Sequence, residues 1–127
     1  MKQNIIAYSG TIFTIEWYMD DNSRSNALNY FLELPFARQK KIFHLFRLLG
    51  NAGKIFSEEK FRHEGEQIYV FKPLSDRFFC FFFEGAKVIV TNAYEKKTAK
   101  MPPREKQKAL IAKADYVARC KKGTYYD

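Results

Sequence analysis

Four cations, Lys72, Arg77, Lys96 and Lys97, stand at the ends of three consecutive strand-like runs. Ile68–Lys72 alternates Ile/Val with Tyr/Phe, all strand-favouring types, and Pro73-Leu74-Ser75-Asp76 supplies turn residues. Arg77–Phe83 returns as a second strand, and Glu84-Gly85-Ala86 turns the chain into a third, Lys87–Tyr94. In an antiparallel meander the first and third strands end where the middle one begins. The four cations therefore converge on one edge of the sheet. Arg offers a phosphate a bidentate contact and Lys a point charge. A lysine whose pKa is lowered by neighbouring cations can also accept a proton, a role that suits Lys96-Lys97 beside Arg77. Cleavage of RNA without a metal needs these same abilities. The 2′-hydroxyl must lose a proton, the leaving 5′-oxygen must gain one, and extra negative charge at phosphorus must be held. Lys60, Arg62, His63, Tyr94 and Lys100 lie close to the cluster along the chain and are candidates for contact with RNA. Clustered cations bind phosphate more often than they cleave it, so the residues alone point to a polyanion site.

Other chemistries lack their residues. There is no Cys/His set at zinc spacing, no phosphate-cradling glycine loop and no G-x-S-x-G elbow. Cys80 and Cys120 have neither metal nor redox spacing and read as free thiols. No cofactor and no metal are expected. The length of 127 residues suits one domain, 1–127, and 46% apolar with 17% aromatic residues excludes a disordered chain. No apolar run approaches a membrane span and no signal peptide is evident, so the expected location is the cytoplasm. The net charge of +8 is confined to residues 96–122, where only Glu105 and Asp115 oppose the basic side chains. A positive block on a neutral body suggests a polyanionic or acidic partner.

The elements that must position these residues read as an α+β fold. N-terminal helices pack on a small, mostly antiparallel sheet, and a basic helix closes the chain. Ile5–Tyr8 and Thr11–Tyr18 are short strand patterns, the second half-buried. Helices are expected over about Ser25–Leu34 and from Pro35 to near Leu49, where Gly50-Asn51 would stop the second. Its buried stripe is Ile42, Leu45, Phe46 and Leu49, with His44 beside it as a surface or packing residue. Ala52–Glu66 reads as a polar connector with one helical turn at Ser57–Lys60. Phe78–Phe83 has no polar face, which marks a central strand covered on both sides. After a loop at Thr98–Met101, Pro102-Pro103 open a final helix that packs through Leu110, Ile111, Ala114, Val117 and Ala118. The tail Lys121–Asp127 is expected to fray.

From about Ile12 to Tyr116 the chain resembles the RelE/HigB superfamily of bacterial and phage type II toxins, in particular its phage-derived HigB-like branch. Lys60-Phe61 resembles the family's K-L before the sheet. Ile68-Tyr69-Val70-Phe71-Lys72 stands where the family has L-Y-E-L-R, and Arg77-Phe78 at its Y-R-hydrophobic start. Asn92-Ala93-Tyr94-Glu95-Lys96-Lys97-Thr98 with Pro102 resembles h-x-F-x-K-K-T…P, the most distinctive part. The resemblance implies a compact mRNA endoribonuclease, acting on ribosome-bound mRNA and neutralised by a small helix-turn-helix antitoxin. The toxin would be a monomer within a toxin–antitoxin hetero-oligomer. Arg77 would contact the scissile phosphate, Lys96 and Lys97 would hold the family's late-strand catalytic positions, and Lys72 its strand arginine. Lys60 and His63 would fall in the segment that lines the site. Lys72 departs from the arginine, Val70 from the acidic residue, and no tyrosine soon follows Lys97. Tyr94, Tyr125 and Tyr126 are the substitutes. Two other classes remain: a relative that poisons a protein such as DNA gyrase, and a non-catalytic basic module that binds RNA or DNA.

Overall fold

A computed structural model describes residues 5–126. The chain runs β1 (Ile6–Ser9), β2 (Thr14–Trp17), α1 (Asn26–Leu32), α2 (Phe36–Ala52), β3 (Phe61–His63), β4 (Tyr69–Phe71), β5 (Asp76–Phe83), β6 (Lys87–Glu95) and α3 (Pro103–Lys122). These strands form one six-stranded sheet in the order β1-β2-β6-β5-β4-β3. β2 runs parallel to β6, and every other neighbouring pair is antiparallel. The fold is α+β, with α1 and α2 on one face of the sheet and α3 on the other.

Alternation along β5 builds both cores at once. Phe78 and Cys80 point to one face and pack with Trp17, Ile42, Leu45, Phe46 and Leu49. Phe79 and Phe81 point to the other and pack with Ile68, Val70, Ala109, Ala112 and Tyr116. A strand with no polar face is thus central, as its sequence requires. The stripe read for α2 is the one that is buried.

Several expectations are corrected. Phe61–His63 is an edge strand rather than connector; two of its three residues are exposed, so it shows no apolar periodicity. β2 is shorter than Thr11–Tyr18 and is not half-buried, because Glu16 is also enclosed. The Tyr126 hydroxyl donates to the Glu16 carboxylate at 2.7 Å. α2 continues through Gly50-Asn51 and stops only at Gly53, which takes φ +83°. Gly50 is there for close packing. Its carbonyl accepts from Ile12 N and Phe13 N at 2.8 and 2.9 Å. A Cβ on Gly10 would lie 2.3 Å from that carbonyl oxygen.

α3 turns a different face to the sheet from the one expected. Glu105, Ala109, Ala112 and Tyr116 are buried, whereas Ile111 is 61% exposed. Small residues at the contact let the helix lie close to the aromatic strands, and Leu110 and Val117 only flank it. The tail does not fray up to Tyr126. The Tyr125 hydroxyl accepts from Met19 N at 2.9 Å, and the Tyr116 and Tyr126 hydroxyls share a hydrogen bond of 2.5 Å. Arg119 donates to Asp115 and to the Met19 carbonyl, and Tyr18 also donates to Asp115. Asp127 lies outside the described residues.

Gly10→Ala forces the β1–β2 turn away from α2. It should lower the unfolding free energy by roughly 1–3 kcal/mol, read as a shift in the denaturant midpoint at unchanged slope.

Candidate functional site

The site grows from the turn between β4 and β5. Asp76 N donates to the Pro73 carbonyl at 3.0 Å, closing the turn, and Leu74 takes a positive φ of +48°. Two neighbours fasten to it. Lys96 N donates to the Ser75 carbonyl at 2.7 Å. Arg77 Nη1 donates to the Leu74 and Asp76 carbonyls at 2.7 and 2.9 Å. With its guanidinium held by its own turn, Arg77 is only 9% exposed.

The register brings the expected cations to one end of the sheet. Asp76 pairs with Glu95 and Arg77 with Tyr94, so Lys96 and Lys97 leave β6 beside the start of β5. An open cleft of about 550 Å³ is lined by Leu74, Ser75, Arg77, Lys96, Lys97, Thr98 and Ala99. Lys72 follows β4 beside it, its backbone N donating to the Lys60 carbonyl at 2.8 Å and its Nζ to the Glu58 carbonyl at 3.3 Å. Burial lowers the Lys72 pKa, and the positive charges of Arg77, Arg62 and Lys96 lower it further, against Glu64. The environment of Lys72 thus shifts it toward the neutral amine.

A bulge interrupts β6 ahead of this end of the sheet. Phe79 pairs with Asn92 but Cys80 with Val90, so Thr91 is the extra residue in β6. Thr91 Oγ1 donates to Asn92 Oδ1 at 2.6 Å, and Asn92 Nδ2 donates to the Glu105 carbonyl at 3.0 Å. Beyond the bulge, Tyr94 lies on the same face as Arg77 and stacks on Phe79, with ring centroids 6.1 Å apart. Burial raises the Tyr94 pKa, with Arg77 acting in the opposite sense. Its hydroxyl is suited to donate rather than to serve as a base.

The remaining candidates divide. Arg62 is exposed on β3, where it faces Val70 and pairs loosely with Glu64 at 3.9 Å. Lys60 is exposed beside Lys72. His63 goes to the opposite face, because it pairs with Tyr69 and through it with Cys80. Its ring lies 4.8 Å from that of Tyr69. Lys100 is exposed but outside the cleft lining. Tyr125 and Tyr126 lie at the other end of β6, where Lys87 Nζ sits 4.2 Å over the Tyr126 ring. His44 is exposed on α2. Among the described residues, no group of three or more His, Cys, Asp or Glu is placed to hold a metal ion, and no helix is long and apolar enough to cross a membrane.

Sequence reasoning missed what stands behind the turn. Asp76 reads as a turn residue, and Arg38 lies mostly off the buried stripe of its helix. In the fold the Asp76 carboxylate is buried and accepts from Arg38 Nε at 3.1 Å, Arg38 Nη2 at 2.5 Å and the Tyr30 hydroxyl at 2.5 Å. The signal was present. A carboxylate next to an inward-facing residue at a strand start must face the other core, where it needs a cation.

Replacing Arg77 by Ala removes one of the charges that repel a proton from Lys72. The Lys72 pKa should rise in that variant while staying below the ordinary lysine value, since burial remains. An NMR titration of the Lys72 Nζ reads this directly.

A family model described as phage-derived protein Gp49-like (DUF891) matches residues 29–114, more than half of the chain. No curated protein matches it.

Proposed function

Since the chain belongs to the phage-derived Gp49-like family, a RelE/HigB-like family of toxins, we propose that it is an endoribonuclease of a type II toxin–antitoxin system. Its substrate in this reading is mRNA, engaged on the ribosome, and its effect is the arrest of translation. The carrying observation is the convergence of Arg77, Lys96 and Lys97 on one open cleft, with a depressed-pKa lysine, Lys72, at its side. A relative that poisons a protein such as DNA gyrase needs no such set. A purely binding module would hold RNA without cutting it.

The chemistry follows from the charges. Neutral Lys72 takes the proton of the 2′-hydroxyl, whose oxygen attacks the adjacent phosphorus. Arg77, with Lys96 and Lys97, holds the negative charge that builds on the phosphoryl oxygens. The bond from phosphorus to the 5′-oxygen breaks, and that oxygen takes a proton from the ammonium of Lys96 or Lys97 or from the Tyr94 hydroxyl. The products are a 2′,3′-cyclic phosphate and a 5′-hydroxyl, and no cofactor enters. Lys60, Arg62 and Lys100 extend the positive field along the strand of RNA beyond the cleft. His63, on the far face of β3, contributes only at the edge. We take residues 1–127 as one cytoplasmic toxin domain, a monomer within a hetero-oligomer. A helix-turn-helix antitoxin would cover the edge bearing Lys72, Arg77 and Lys96.

Purified protein with ribosomes and a defined message tests the reading. Cleavage should stop when the nucleotide 5′ to the cut is 2′-deoxy, and its rate should climb with pH as Lys72 deprotonates, in a limb below the ordinary lysine range. Lys72→Ala should slow cleavage about 100- to 10,000-fold and flatten that limb. Cleavage of the 2′-deoxy message, or an unchanged pH limb in Lys72→Ala, would refute the mechanism.

A further inference from the structure

Asp76 sits at the mouth of a basic cleft with only 1% of its surface exposed, yet its carboxylate faces away from that cleft. On the far side of the sheet it accepts three hydrogen bonds, two from Arg38 and one from Tyr30. Neither of those residues lines the cleft. Burial and the Asp76 hydrogen bond both raise the Tyr30 pKa, so its hydroxyl stays a donor. Glu95 approaches the same guanidinium at 3.6 Å, extending the link to the last residue of β6.

The backbone of Asp76, in contrast to its side chain, holds residues that line the cleft. Its carbonyl is one of the two that hold the Arg77 guanidinium, and its N–H closes the turn whose Leu74 carbonyl is the other. The Ser75 carbonyl of that turn holds Lys96 N. Leu74 has a positive φ, a conformation that a leucine does not adopt unless its surroundings impose it.

We propose that Arg38 and Tyr30 are positioning residues: through Asp76 they hold the Pro73–Asp76 turn, and through the turn they hold the Arg77 guanidinium and the Lys96 backbone toward the phosphate. The catalytic consequence rests on the nuclease reading; the mechanical link does not. A misplacement of about 1 Å at a reacting group costs on the order of 100-fold in rate. Loosening this anchor should therefore act on the chemical step and leave RNA binding, which the exposed Lys96 and Lys97 side chains dominate, nearly unchanged.

The variants Arg38→Ala, Arg38→Lys and Tyr30→Phe test it, the last two being mild enough to fold should the first fail. Two readouts are taken on folded protein. The Arg77 Nε–Hε NMR signal and its hydrogen-exchange rate report the guanidinium without any RNA. Single-turnover cleavage reports rate and half-saturating RNA concentration separately. The expected result is faster exchange at Arg77 in all three, greatest in Arg38→Ala. Cleavage should slow by on the order of 10- to 100-fold in Arg38→Ala, with the half-saturating concentration within about twofold. Arg38→Lys, which keeps the charge but not the fork, should recover part of the rate. An unchanged Arg77 signal overturns the proposal, as does a loss of activity that only tracks the unfolded fraction. Should the wild type itself fail to cut RNA, the nuclease reading falls, and the Arg77 signal alone still decides for or against the mechanical link.

Discussion

A strand buried on both faces still has to begin, and β5 begins with opposite charges on consecutive residues. Alternation sends Asp76 to the α1/α2 side and Arg77 to the α3 side, and each must be satisfied where it lands. Asp76 is met by Arg38 and Tyr30. Arg77 is met by carbonyls of its own turn, which saturate part of the guanidinium and leave it at the edge of an open cleft. Stripping the partner from a fully buried ion pair costs roughly 3–5 kcal/mol. Here the figure is smaller, because the Arg38 side chain keeps 31% of its exposure. Breaking the pair therefore costs a moderate amount of stability, and the cleft inherits the geometry that the pair fixes.

The two ends of β6 do different work. At its start, α3 and the tail are bound to β2 by a set of tyrosines, with Tyr18, Asp115, Arg119 and Tyr125 around Met19, and Tyr116 and Tyr126 over Glu16. At its other end, Lys96 and Lys97 emerge unshielded. The positive block of the C-terminal segment divides in the same way. Lys106 pairs with Glu66 at 3.0 Å, Lys108 with Glu105 at 3.2 Å, and Arg119 with Asp115 at 2.7 Å. Lys113 donates to Gln67 at 2.8 Å. Several cations of α3 thus fasten the helix to the β3–β4 loop and to itself.

The convergence of Lys72, Arg77, Lys96 and Lys97 was legible because it depends only on strand order and antiparallel sense. The central position of β5 was legible from a run with no polar face. What escaped the sequence depends on partners distant along the chain. The rotation of α3 is chosen by how close Ala109 and Ala112 come to the sheet, not by its most apolar residues. β3 is an edge strand whose exposed Arg62 and His63 hide it. His63 is close to the cations along the chain, but a shift of one position along a strand changes the face. Asp76 and Arg38 are 38 residues apart, and neither shows its partner in local pattern. The tyrosines of the tail give no periodic signal at all.

Transcript 5′ ends mapped across the genome of bacteria expressing the wild type or the Lys96→Ala/Lys97→Ala double variant decide whether this cleft cuts mRNA. New ends inside coding regions, carrying 5′-hydroxyl groups, should appear with the wild type and vanish in the double variant. Growth arrest without such ends, or the same ends in both strains, would contradict it.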